Sequence, residues 1–160
     1  MTYYTILSSA IGDLLLTGTT KGLSTVRLPS LDGSAHTPNP AWQYSPEHFT
    51  AATTQLTEYF AGTRQTFAVP LAWQQGTDFQ QKVWHELINI PYGTTTTYGD
   101  IARRINHAQA ARAVGMANNQ NRLPIIVPCH RVVGATGKLV GYAGGLRLKQ
   151  QLLRIEGIAA

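Results

Sequence analysis

Three short runs near the N-terminus, Thr2–Leu7, Asp13–Thr19 and Gly22–Leu28, are β-branched or apolar and are broken by turn signals at Ile11-Gly12 and Thr20-Lys21. That pattern predicts antiparallel strands in a meander. Leu31 to Tyr44 is rich in Gly, Ser, Asn and Pro and reads as a loop. Ser45 then supplies an N-cap, with Pro46 at the first helical position. Phe49, Ala52, Leu56, Tyr59 and Phe60 recur at helical spacing until Gly62, which predicts a helix lying over one face of the small sheet.

The pattern changes after a connecting stretch from Thr63 to Gly76. Thr77 with Gln80 three residues on is a capping-box signature, and it opens a helix expected to reach about Ile90. Phe79, Val83, Trp84, Leu87 and Ile88 form its apolar stripe. Pro91-Tyr92-Gly93 stops it. A short helix over Tyr98 to Arg104, a turn at Asn106-His107 and a second helix over about Ala108 to Asn118 make a helix-turn-helix pattern. A last helix spans Leu146 to Glu156 and closes at Gly157. The organisation predicted is residues 1–76, an α/β unit with its linker, and residues 77–160, a mostly helical unit.

Charge sharpens this division. Residues 1–76 carry three basic and four acidic side chains, whereas residues 77–160 carry ten basic and four acidic, so the net charge of +5 resides in the second half. Such an excess suits an anionic partner and points any nucleic-acid contact to the C-terminal half. The single cysteine, Cys129, excludes an intramolecular disulfide framework, a zinc finger and an iron–sulfur cluster. A cytoplasmic setting is the expectation, because Met1 to Thr20 lacks a basic n-region and no run of about eighteen apolar residues occurs.

The chemistry-bearing candidates cluster in that half. Cys129 lies in an apolar run between Pro124 and Val133 that reads as extended, and a lone Cys there is either a small buried hydrophobe or a nucleophile. His130 and Arg131 make its surroundings electropositive, which predicts a lowered thiol pKa. Alternating side chains put His130 on the opposite face, so a bridging water or a local turn is needed for it to act on the sulfur. An imidazole relay also wants a carboxylate behind it. Glu156, in a last helical turn where the dipole disfavours an anion, is either that partner or a frayed surface residue. Arg112 is the one long side chain among small ones, Ala111, Ala113 and Gly115, on a helix that is either simply stable or shaped to press into a groove. Tyr98 is either core or faces a phosphate, and Asn121 reads as a turn residue. Gly141 to Gly145, including Tyr142 and Ala143, is a flexible turn or a close-approach pocket wall.

Taken together these residues resemble the O6-alkylguanine-DNA alkyltransferases. Phe79-Gln80 with Val83-Trp84, Ile90-Pro91-x-Gly93-x-Thr95, Tyr98-Gly99, Ala111-Arg112-Ala113-Val114-Gly115, Asn121, Pro128-Cys129-His130-Arg131-Val132-Val133, Gly144-Gly145 and Leu152-Leu153-x-x-Glu156-Gly157 occur in the family's order and spacing. The resemblance implies an α+β fold: a small N-terminal antiparallel sheet with a covering helix, ribonuclease H-like, followed by a mostly helical winged helix-turn-helix domain. It implies direct-reversal DNA repair in which Cys129 takes an alkyl group from O6 of guanine, and with it O4-alkylthymine, once and irreversibly. Cys129, His130, Glu156, Asn121 and Tyr98 would form the catalytic set. Arg112, Tyr98, Ala111, Ala113, Gly115 and Asn121 would meet DNA through its minor groove. Tyr98, Cys129, Val132, Tyr142 and Ala143 would line the pocket for the flipped base. A cytoplasmic monomer acting on double-stranded DNA, with no metal, organic cofactor, membrane or obligate protein partner, is the expectation. A non-catalytic lesion sensor is the alternative, which the presence of Cys129 disfavours. A cysteine hydrolase is a further one, disfavoured by the adjacency of Cys129 and His130.

Overall fold

The computed structural model describes residues 1–159, which divide into two compact units with the boundary between Gln74 and Gln75. In the first unit, β1 (Tyr3–Ser9), β2 (Gly12–Thr19) and β3 (Gly22–Arg27) pair antiparallel as neighbours in the chain. A fourth strand, β4 (Gln43–Tyr44), was not expected. It emerges from the Pro- and Gly-rich loop and pairs parallel with β1, giving the sheet order β3-β2-β1-β4. Its backbone bonds, Gln43 N to Thr2 O and Ser45 N to Tyr4 O, satisfy the edge of β1 that the meander leaves open.

The helix that follows starts differently from the prediction. Ser45 does not cap it; its hydroxyl is 2.5 Å from His48 Nδ1, and Pro46–Phe49 form a 3-10 turn before α1 (Thr50–Phe60). Leu14, Leu15 and Leu16 of β2 are fully buried, and Ala52, Leu56 and Tyr59 are the buried residues of α1. The connecting stretch is also less loose than composition suggests. Leu23 N bonds Pro70 O and Ala72 N bonds Leu23 O, so the segment covers the outer edge of β3.

The second unit begins with α2 (Asp78–Ile88), whose capping box is complete: Gln80 N donates to Thr77 Oγ1 at 3.1 Å and Thr77 N to Gln80 Oε1 at 2.9 Å. Val83, Trp84 and Leu87 form its buried face, while Ile88, the last helical residue, is exposed and Phe79, in the first turn, is only partly covered and packs edge-on against His107. Ile90, just beyond the end, is buried instead. Trp84 Nε1 donates to Ala117 O at 2.9 Å, tying α2 to α4 (Ala111–Asn119). Preceding α4 is α3 (Tyr98–Arg104), capped by Thr97 Oγ1 accepting from Asp100 N. The start of α4 falls later than expected because His107–Ala110 close a turn of their own, Ala110 N to His107 O. Two-residue strands β5 (Thr96–Thr97) and β6 (Val132–Val133) pair in parallel, and α5 (Leu146–Ile155) completes the unit. Among the described residues no helix is long and apolar enough to cross a membrane.

The capping box gives a direct test. Thr77→Ala removes one of two reciprocal bonds at the start of α2 and should lower stability by about 1 kcal/mol. The measurement is a shift of the denaturant midpoint with an unchanged slope.

Candidate functional site

The segment carrying Cys129 is not an extended strand. Pro124 and Pro128 cannot donate backbone hydrogen bonds, and Asn121 folds the chain between them: its Oδ1 accepts from Leu123 N at 3.0 Å and its Nδ2 donates to Val127 O at 2.9 Å. Ile125 sits at φ +75°, a conformation costly for a β-branched residue, and is buried. Cys129–Arg131 then form one 3-10 turn leading into β6. Alternation of faces therefore does not govern His130. From α4, Asn118 Nδ2 donates to Cys129 O at 3.2 Å. Sequence reasoning missed Asn118, although its spacing of four from Val114 places it on the inward face of that helix.

Glu156, at the C-terminal cap of α5, is buried, so the surface-residue reading is set aside. Its Oε2 is 2.5 Å from His130 Nε2 and accepts from Arg131 Nη2 at 3.1 Å. Its Oε1 accepts from Arg131 Nε at 2.8 Å and from Gly93 N at 3.1 Å. The Arg131 guanidinium also donates to Ile90 O at 2.7 Å and lies over the ring of Tyr92. His130 is itself fully buried. Burial holds its pKa below the ordinary histidine value against the opposing pull of Glu156, so the ring is neutral. A neutral ring donating Nε2–H to Glu156 keeps its lone pair on Nδ1.

The expected lowering of the thiol pKa by His130 and Arg131 is not what the structure shows. Burial pushes the Cys129 thiol up, His130 is neutral, and Arg131 is turned to Glu156 and the Ile90 carbonyl. Asn121, Tyr142 and Lys149 act in the opposite direction on the thiol. Cys129 Sγ lies 3.9 Å from Tyr142 Oη. Lys149, on α5, is a residue that sequence reasoning passed over. It is fully buried, donates to Val140 O at 3.0 Å, and its ammonium lies 5.8 Å from the ring centre of Tyr98 and 5.9 Å from that of Tyr142. Burial lowers its pKa to about 8. Its place in the amphipathic pattern of α5, between Leu148 and Leu152, was the available signal: a lysine on a buried face needs a reason.

A groove of about 640 Å³ opens alongside, lined among others by Tyr98, Arg112, Gly115, Asn119, Val140 and Gly141. Arg112 is exposed, Ala111 and Gly115 line the groove with it, and Ala113 is exposed without lining it. Tyr98 is partly buried and donates to Val140 O at 3.1 Å, and burial raises its pKa, so it is a hydroxyl donor. Val132 is buried in β6, Tyr142 meets the sulfur, and Ala143 is exposed in the loop before α5. The arrangement thus holds a buried thiol, a neutral imidazole oriented by a carboxylate, and a neighbouring groove bearing two exposed arginines, Arg103 and Arg112. That set is suited to nucleophilic displacement.

Comparison with known proteins places this geometry in context. Residues 78–158 match the family model described as the 6-O-methylguanine DNA methyltransferase DNA binding domain, and residues 2–73 match that described as its ribonuclease-like domain. A Methanosarcina acetivorans protein named methylated-DNA–protein-cysteine methyltransferase is 50% identical over 97% of this chain and 98% of its own. The protein of that name from Mycobacterium bovis is 47% identical over 98% and 93%. The crystal structure of Mycobacterium tuberculosis OGT in complex with DNA superposes with a TM-score of 0.87 at 47% identity, covering 96% of this chain and 92% of that one.

Lys149 supplies the test of the thiol's electrostatics. Replacing it by Met removes a cation whose effect on a nearby acid is of the order of one pKa unit, about tenfold in thiolate. Alkylation of Cys129 by iodoacetamide at pH 7, followed by intact mass, should slow by about that factor in Lys149→Met and less in Lys149→Arg. In the unsubstituted protein the assistance is present below about pH 8 and fades above it as Lys149 loses its proton.

Proposed function

The chain belongs to the 6-O-methylguanine DNA methyltransferase family, and we propose that it repairs DNA by direct reversal, moving the alkyl group of O6-alkylguanine onto its own Cys129 in one turnover. The observation that carries the assignment of Cys129 is its turn with His130, whose ring is held by the Glu156 carboxylate at 2.5 Å.

In the proposed step the Sγ–carbon bond forms as the carbon–O6 bond breaks. The thiol proton passes through a water to His130 Nδ1, the nitrogen that Glu156 does not engage, and the carboxylate stabilises the resulting imidazolium. The electron pair of the broken bond leaves on the guanine. Tyr98 donates a hydrogen bond to the departing purine, which requires it to release the Val140 carbonyl. Asn121 keeps the Cys129 turn in place by bridging Leu123 and Val127. The thioether is stable, so the protein is consumed stoichiometrically.

The target carbon is hidden in a stacked duplex, so the base must leave the helix at a cost of a few kilocalories per mole. Arg112, exposed among small residues on α4, fills the vacated stack while Ala111, Ala113 and Gly115 allow close approach to the minor groove. Tyr142, Val132 and Ala143 complete the pocket for the flipped base. The basic surface of this half supplies phosphate contacts, and binding weakens with salt. A cytoplasmic site of action accords with this chemistry. The sensor alternative is disfavoured by the presence of Cys129 and by the relatives named methylated-DNA–protein-cysteine methyltransferase.

Intact mass after incubation with duplex DNA containing one O6-methylguanine tests the reading. One added methyl per chain, mapped to Cys129 and absent from Cys129→Ala and from undamaged DNA, is the expected outcome; tight lesion binding without mass change would establish the sensor instead. Glu156→Gln should slow transfer by about a hundredfold, the scale of a lost general base. Single-turnover quench measurements read this directly, and an unchanged rate would remove Glu156 from the mechanism. Arg112→Ala should slow transfer from duplex DNA more than from the free base O6-benzylguanine.

A further inference from the structure

Glu156 is shared, and the sharing is unequal in consequence. A buried carboxylate at 2.5 Å from an imidazole ordinarily draws a proton onto the ring and holds it there as an ion pair. A histidine in that state has no lone pair with which to take a proton from a thiol. Here the same carboxylate is met by Arg131 through two guanidinium nitrogens, at 2.8 and 3.1 Å, on both of its oxygens. Arg131 cannot give up its charge. It is buried, fixed from its other side by Ile90 O, and lies over the Tyr92 ring, so it is held in place.

We propose that Arg131 is a positioning residue whose charge balances Glu156 and thereby keeps His130 in the neutral, proton-accepting state. With Arg131 present, the buried set of Glu156, Arg131, neutral His130 and Cys129 thiol carries no net charge. Moving the proton from Cys129 to His130 leaves it still without net charge, so the step transfers no charge into or out of the low-dielectric interior. Without Arg131, electroneutrality is reached by protonating His130 beforehand, and the relay starts with its acceptor filled. Lys149, on α5, is the second cation acting on His130, and its influence has the same sign. Among the described residues Glu156, on the cap of α5, is the acid that opposes them, with Cys129 as the proton donor on the adjoining turn. Arg131 thus does not activate the thiol as a neighbouring cation; its effect on Cys129 runs through Glu156 and His130.

The inference rests on the proposed transfer reaction, but its first readout does not. Ring-nitrogen NMR of histidine-labelled protein, with His130 assigned by its loss in His130→Asn, reports protonation and tautomer directly. In the wild type His130 should be neutral with its proton on Nε2 at pH 7, whereas in Arg131→Met it should be imidazolium at pH 7. Arg131→Lys, which keeps the charge with a poorer fork, should return it to neutral. The second readout is the pH profile of methyl transfer: Arg131→Met should lose about tenfold or more at pH 6 and recover that loss towards pH 8, a shift of at least one unit in its acidic limb. A wild-type His130 that is imidazolium at pH 7 overturns the proposal whether or not the variants fold. So does a neutral His130 in Arg131→Met, or transfer by that variant that is faster at pH 7. If wild type moves no methyl at all while His130 is neutral, the proposed function has failed and the charge balance stands.

Discussion

The second unit depends on one buried anion. Glu156 closes α5 at the end where the helix dipole opposes negative charge, and burial adds a desolvation cost that only hydrogen-bonded partners offset. Four donors converge on it: the imidazole of His130, two guanidinium nitrogens of Arg131 and the amide of Gly93. The donors and their acceptor come from three places in the sequence. The turn after α2, the Cys129–Arg131 turn and the end of α5 are thereby fixed to one point, and Cys129 is positioned as a consequence.

That arrangement decides how the thiol is made reactive. A cysteine on an exposed helix end becomes a nucleophile by lowering its pKa, and it then reacts with whatever reaches it. Cys129 is buried and its pKa is raised by that burial. The charge that counters burial comes from Lys149, which is held among Tyr98, Tyr142 and the Val140 carbonyl rather than against a carboxylate. An unpaired buried ammonium is destabilising to the fold by itself, and such features concentrate at functional sites. A thiol spent once per lesion gains from staying protonated until its substrate is in place.

The legibility of this structure in its sequence follows the range of the interactions. The strands β1 to β3, the capping box of Thr77 and Gln80 and the helix pair α3–α4 are written in local pattern, and each stands within a few residues of its expected bounds. β4 was not legible, because two residues inside a proline-rich loop carry no periodicity and pair only once β1 offers its edge. The segment before Cys129 was misread as extended for a related reason: apolar composition suggested a strand, and the side-chain bonds of Asn121 that fold it are invisible to a hydrophobicity pattern. At the site, Cys129, His130 and Glu156 were recoverable through chemistry and resemblance. Lys149 and Asn118 were passed over although each falls on the apolar face of its helix, because a lysine and an asparagine are ordinarily read as surface.

Helix α4 links the groove to the Cys129 turn. Arg112 leaves its outer side into the groove, and Asn118, six residues on, turns inward to the carbonyl of Cys129. Between them Val114 and Ala117 are buried, and the Ala117 carbonyl receives the indole of Trp84 from α2. A helix gripped on its inner face in this way moves as a rigid body or not at all, because its packed contacts tolerate little displacement. Whatever presses on Arg112 is therefore felt at the backbone of Cys129 through a single helix of nine residues. Small side chains on its outer face and a polar anchor on its inner face are two requirements on one element, and they account for a sequence that neither helix propensity nor core packing explains alone.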